Sequence, residues 1–394
     1  MITPEQAQVI IMSKSLQLAT MTVSINEALN RVLTEDLHAD SDLPPFDRVM
    51  MDGIAVRFEA LQRDQHSFEI TGIQRAGGMQ QTLVHSDSCL EVMTGAICPL
   101  QADTVIPYEH LHIENDIAMV LHVPDSIGKN IHCRASDKKQ GDKLVSKGKR
   151  MGAAEIGIAA SIGKVTLEVV AHPRVLICST GDELVAIENV PEPHQIRRSN
   201  VYALQAMVQA QGWLCDTLHL PDDESQLQHS LSHALQNYEV ILMSGGVSKG
   251  KFDLVPDVLQ KLGVEQHFHR IAQKPGKPMW FGSTNKTVVF AFPGNPVSTL
   301  VCAARYLLPW IQSQQGRYIP QWVEVKDEIT LLEKLTQFIP VGYLFDGRST
   351  SIEILRNQGS GDFSALSGAC GFIEVPSGAE VIGAHSSFRF FPLP

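Results

Sequence analysis

The chain has 394 residues, 44% apolar and 19% charged, which is the composition of a globular protein. At about 150 residues per domain that length implies two to four domains. A formal charge of −11 excludes nucleic-acid binding by net attraction but leaves room for a local basic pocket. No run of about 18 apolar residues occurs, and the opening MITPEQAQVIIMSKS lacks the layout of a signal peptide, so the expectation is a cytoplasmic protein with no membrane contact.

Residues 4–37 show helical periodicity, with Thr3 as cap, Pro4 and Glu5 in the first turn, and an interruption near Thr20–Ser24. DLPPFDRVMMDG is extended and turn-rich. Residues 54–135 are short alternating segments, an all-β pattern, and 136–172 read as mixed short strands and glycine turns. From Pro173 strands alternate with helices: RVLICST, then NVYALQAMVQAQG as a helix, CDTLHLPDD, then ESQLQHSLSHALQNY as a helix, and EVILMSGG. That order predicts a parallel sheet with ligands at the strand C-terminal ends. The helical pattern stops at Pro309, and 321–394 read as short strands with glycine turns.

The predicted architecture is multidomain α/β plus β. A discontinuous helical and mixed region (1–45 with 138–172) carries an inserted β-rich module (46–137). A three-layer α/β domain with a mostly parallel sheet (173–318) and a small C-terminal β-barrel (319–394) follow. The cysteines at 89, 98, 133, 178, 215, 302 and 370 form no CxxC pair and read as reduced thiols. The pairs His110/His112 and His267/His269 alternate as in strands and read as satisfied or solvent-facing side chains.

Three loops carry the chemistry. SGGVSKGKFD (244–253) leaves a strand with glycines that let backbone N–H groups approach an anion. KPGKP (274–278) offers two ammonium groups on a rigid turn, with Arg270 four residues upstream. PGNP (293–296) opens a helix, with Asn295 suited to cap it and Pro296 to begin it. Each alone is equally a tight turn, a solvated loop or a simple cap. Together they read as one anion site. Carboxylates sit at nearby loop positions: Asp182 and Glu183 in STGDEL, Asp52 in MDG, Asp137 in ASDKKQGD, and Asp222 in PDD. Such oxygens suit Mg²⁺, but each acid taken alone reads as a helix cap or a surface charge. TGA (94–96) offers a hydroxyl or a turn.

The series PPFDRVMMDGIAVR, VMTGAICPLQADTVIPYE, STGDEL, SGGVSKGKFD, KPGKP and FPGNP, in this order, resembles the MoeA-type molybdate insertases, the molybdopterin molybdenumtransferases related to the E-domain of gephyrin. The resemblance runs from SINEALNRVLTEDL through RNQGSGDFSAL. It implies an enzyme of molybdenum cofactor biosynthesis that takes adenylyl-molybdopterin and molybdate, uses Mg²⁺, cleaves the pyrophosphate bond and releases AMP. By motif, Asp52, Thr94, Asp137, Glu183, Asp222 and Asp253 match the active-site acids and hydroxyl, with Glu183, Asp222 and Asp253 the implied metal ligands. Gly245, Gly246, Ser248, Lys249, Arg270, Lys274, Lys277, Pro293, Pro296 and Ser360 match the substrate-binding set. The resemblance also implies a homodimer with its cleft between subunits. Transient partners would be an adenylyltransferase and recipient molybdoenzymes.

Departures from the pattern are Ile54 where MDGYA is usual, Lys249 and Lys251 in the glycine loop, and Ala135-Ser136 before Asp137. FIPVG stands where an arginine is common, with Arg348 and Arg356 as substitutes. Competing readings are the adenylyltransferase step and a gephyrin-like scaffold. SGGVS with large flanking modules favours the insertase over the first. Retention of every expected acid favours it over the second.

Overall fold

The computed structural model describes all residues except 248–253, 333, 346, 348–349, 356–358 and 379–380. The first helix spans only Pro4–Met12, where Thr3 Oγ1 accepts the Gln6 N–H and Gln6 reaches back to the Thr3 N–H. The expected continuation to residue 37 is corrected. Thr20–Ser24 is a strand, antiparallel to Thr166–Val170. Its β-branched Thr20, Thr22 and Val23 favour a pleated surface. A second correction lies at Ala153–Ser161, a helix where only strands and turns were expected. Val23, Leu33 and Leu37 share one core with Val145, Met151, Leu167 and Val169.

Between these segments stands a six-stranded sheet whose strands run in the order 104–107, 53–56, 88–92, 67–74, 117–120, 111–114. Ile54 lies in its core with Val56, Phe68, Cys89 and Ile106 and has no exposed surface. A tyrosine there would be shut inside the sheet, so the missing hydroxyl is a packing difference. Ile54→Tyr is expected to destabilise this module by about 1–3 kcal/mol through overpacking. Chemical unfolding measures the loss, and an unchanged midpoint would show the pocket to be roomier than its burial implies.

The α/β unit is a six-stranded sheet in the order 215–220, 175–180, 240–244, 288–292, 280–283, 265–269. The first four strands are parallel, and the last two are antiparallel additions. Alternate residues face opposite layers. Val175, Ile177, Val240, Leu242, Phe290 and Phe292 pack against helices Asn200–Ala210 and Pro296–Cys302. Leu176, Cys178, Ile241, Met243 and Val289 pack against Glu224–Asn237 and Val255–Lys261. Burial on both faces explains the continuous apolar runs.

Helix does not stop at Pro309. It passes through a π-helical turn at Ala303–Leu307 into Leu308–Gln314. Pro309 has no N–H for the Arg305 carbonyl four residues back, and the preceding turn widens to avoid the clash.

In the C-terminal region Thr336–Phe345, Thr350–Ile354, Gln321–Val325, Ser386–Pro392 and Gly371–Val375 pair in a ring, because Gly371–Val375 also pairs with Thr336–Phe345. This is the expected barrel, closed by five strands. Phe338, Phe372 and Phe391 join the α/β core, so the two units share one apolar interior.

Candidate active site

In the α/β sheet the first strand by sequence, Val175–Thr180, lies between the second and the third. The crossovers leave in opposite directions on its two sides, which opens a crevice at the strand C-terminal ends. A cleft of about 390 Å³ sits there. Its walls come from the loops after four parallel strands: Ser179–Gly181 and Glu183, Asp222, Ser244–Val247, and Gly294–Pro296. Arg197, Arg198 and Asn200 close it.

The glycine loop is fixed by close approach. Gly245 and Gly246 have φ of +99° and +68°. A Cβ on Gly245 would meet the Thr180 carbonyl oxygen at 2.7 Å. Thr180 Oγ1 is buried and has no hydrogen-bond partner among the described residues. Asp182 Oδ1 accepts the Asp222 N–H at 3.2 Å, tying two acidic loops together. The helix-capping role in PDD falls to Asp223, whose carboxylate accepts the Gln226 N–H, while Asp222 lines the cleft.

A second cleft, of about 460 Å³, lies on the barrel side. It is lined by Lys274 and Lys277 of the KPGKP turn, by Pro293, and by Gly359 and Ser360 of the barrel. Asn295 belongs to both clefts. The described residues of the three loops line two neighbouring clefts, with the PGNP turn as their shared wall.

Asn295 does not cap its helix by side chain. Its Nδ2 instead donates to Ser360 Oγ at 2.9 Å, and the Val297 N–H donates to the Ser360 carbonyl at 3.1 Å. The helix start is thus occupied by a barrel loop, and it is this contact that brings Ser360 to the lysine turn. Arg270 lines neither cleft. It holds φ +80°, and its N–H and carbonyl bond Met279 and Ile2.

Asp52, Thr94 and Asp137 also line neither cleft. Asp52 Oδ1 accepts the Thr94 N–H at 2.6 Å and the Thr94 hydroxyl at 2.7 Å. The backbone bond first, then the hydroxyl, hold this carboxyl below its ordinary range, so it is ionised at neutral pH. Asp137 accepts from His132 Nε2 at 2.8 Å, and Arg48 donates to the other ring nitrogen. Ser248, Lys249, Lys251, Asp253, Arg348 and Arg356 lie outside the described residues.

Arg197, Arg198 and Asn200 escaped the motif reading. Asn200 Nδ2 donates to Ser244 Oγ at 2.9 Å and to the Gly294 carbonyl at 2.7 Å, bridging two cleft loops from a helix start. The only signal was a polar RRSN before an amphipathic helix. Among the described residues no three His, Cys, Asp or Glu gather to hold a metal unaided. Glu183 and Asp222 share the first cleft, and one or two carboxylates completed by substrate phosphates are the donor set Mg²⁺ takes.

Comparison with known proteins finds matches in three successive parts of the chain. Residues 2–163 match the MoeA N-terminal region (domain I and II), 176–313 a probable molybdopterin binding domain, and 323–390 the MoeA C-terminal region (domain IV). A molybdopterin molybdenumtransferase of Synechocystis is 38% identical, with 94% of each chain covered. One from Haemophilus influenzae is 32% identical over 77% of this chain and 74% of its own. The crystal structure of a molybdopterin biosynthesis MoeA protein from Pyrococcus horikoshii OT3 superposes with a TM-score of 0.83 at 25% identity, covering 99% of both chains. A three-part match in register, a relative at this identity over nearly full length and a shared fold leave one assignment: the chain belongs to the molybdopterin molybdenumtransferase family.

Proposed function

We propose that the protein is a cytoplasmic molybdate insertase. It takes adenylyl-molybdopterin and molybdate, splits the pyrophosphate bond in an Mg²⁺-dependent step, releases AMP and leaves molybdenum on the pterin dithiolene. The observation that supports this reading is the pair of clefts separated by Asn295. One joins carboxylates, arginines and a glycine loop, and the other joins two lysines and a serine.

The division suits two different anions. Backbone N–H groups around Gly245 and Gly246 and the guanidinium groups of Arg197 and Arg198 suit a pyrophosphate. Lys274, Lys277 and Ser360 suit a small oxyanion. Asn295, touching both, sets how the two anions face each other. Glu183 and Asp222 would hold Mg²⁺ at the first cleft, where the ion supplies charge neutralisation for the phosphate under attack. The chain's own cations keep the second anion close against Coulomb repulsion. In this reading the protein works as a homodimer, and the ionised Asp52 with its Thr94 partner, together with Asp137, face the clefts of a second copy. Product passes to recipient molybdoenzymes, and an adenylyltransferase supplies the substrate.

The test is AMP release by the purified protein from adenylyl-molybdopterin, with molybdate and Mg²⁺ added separately and together. Release that needs both is the expected result. Tight pterin binding with no AMP under any combination would overturn it.

A further inference from the structure

We infer that Gln273 is a positioning residue, a buried amide that shapes the KPGKP turn from inside and so places Lys274 and Lys277 toward an oxyanion. This rests on the proposed role of the lysine cleft. Gln273 has no exposed surface, whereas both lysines are exposed on the other side of the same turn.

The turn has few backbone bonds of its own, and among the described residues the Pro275 carbonyl is met by a side-chain donor. Two of its five residues are prolines and offer no N–H. Main-chain bonds hold its base, Arg270 N–H to the Met279 carbonyl and Ile271 N–H to the Lys277 carbonyl at 2.9 Å each, and the Met279 N–H makes a longer one, 3.3 Å, to the Gly276 carbonyl. The Pro275 carbonyl takes a side-chain donor, and the Gly276 carbonyl has one beside its backbone bond. Gln273 Nε2 donates to the Pro275 carbonyl at 3.0 Å, and the Cys302 thiol lies 3.6 Å from the Gly276 carbonyl.

The amide's direction follows. The Pro275 carbonyl can only accept, so the NH₂ end must face it. Gln273 Oε1 then faces the Tyr306 hydroxyl, which donates to it. Tyr306 is buried, and burial holds its phenol well above the ordinary range, so it stays a neutral donor with no water to turn to. Tyr306 reaches this point from the π-helical turn forced by Pro309. The fit is close. Gly276 sits at φ +90°, and a Cβ there would meet Cys302 Sγ at 2.5 Å and Gln273 Nε2 at 2.7 Å. A change in the amide is therefore transmitted to the turn.

The test compares Gln273→Met, which keeps bulk and loses the amide, and Tyr306→Phe, which removes one oxygen, with Lys277→Ala as the direct-contact control. Kinetics of AMP release give KM for molybdate, KM for adenylyl-molybdopterin and kcat, and circular dichroism reports folding. Loss of one hydrogen bond's alignment is expected to raise KM for molybdate by about tenfold in both positioning variants. The pterin KM and kcat should change far less. Gln273→Glu, which sets a carboxylate against the Pro275 carbonyl, is expected to be worse than Gln273→Met. If Lys277→Ala raises KM for molybdate while folded Tyr306→Phe leaves it unchanged, the positioning role is wrong and the network is only structural. If Lys277→Ala also leaves it unchanged, the lysine cleft is not the molybdate site and both readings fall. Should Gln273→Met not fold, Tyr306→Phe decides.

Discussion

Replacing both cleft carboxylates by their amides, Glu183→Gln with Asp222→Asn, is expected to lower AMP release by at least about 100-fold, the scale seen when a preorganised electrostatic contact is removed from a reacting centre. The two residues arrive from loops after different strands, yet line the same cleft as the glycine loop. Amides keep the volume and an oxygen but lose the charge, and a hard divalent cation discriminates strongly on charge. The bond from the Asp222 N–H to Asp182 is a backbone contact and is kept in the variant. Circular dichroism and the thermal midpoint separate a loss of turnover from a loss of fold. Quantifying AMP at saturating pterin and molybdate, across a Mg²⁺ titration, checks this. The double variant should need more Mg²⁺ as well as turning over more slowly. Parent-like turnover at every Mg²⁺ concentration would remove these two residues from the chemistry.

Much of this site was legible because its motifs sit where local rules and topology coincide. RVLICST and EVILMSGG are continuous apolar runs ending in glycine or Thr-Gly, which is what a parallel strand buried on both faces and open at its C-terminal end looks like. The strand at Thr20–Ser24 was not legible, because its partner lies 146 residues away (Thr22 opposite Glu168) and a helical period spans its flanks. Asn200 and Gln273 were invisible for a different reason. An amide's value depends on which carbonyl the fold brings to it, and no spacing in the sequence encodes that. That the expected loops line two clefts comes from Asn295. As a cap it would have left the helix start open, but the barrel loop at Ser360 takes that position, and the turn becomes a partition.

Arg305→Met is expected to cost about 3–5 kcal/mol of stability. Arg305 is fully buried, and its Nη2 donates to Glu374 Oε1 at 3.2 Å. Its Nε lies 3.2 Å from Oε2 without hydrogen-bond alignment. Arg389 is the other cation at this carboxylate, with Nη1 at 3.7 Å. Burial pushes the Glu374 carboxyl above its ordinary value, and Arg305 is the largest influence pulling it back. Removing Arg305 drives it further up. A folded pKa above the unfolded one means the folded state keeps a proton that the unfolded chain has released. Stability then falls as pH rises through that interval. The deficit of Arg305→Met should accordingly be larger at pH 8 than at pH 5, because lower pH favours the protonated Glu374 that needs no cation. Arg305→Met with Glu374→Leu, which removes both charges, should recover most of the loss. Urea unfolding followed by fluorescence of the buried Trp213, Trp280 and Trp310 measures all three. A deficit that is small and independent of pH would mean the pair is already well hydrated. The pair joins the π-helical turn to barrel strand Gly371–Val375, and that same barrel carries Ser360 to Asn295. A variant loosened here should therefore lose affinity for molybdate before it loses its secondary structure, linking a buried ion pair to the cleft through the docking of the barrel.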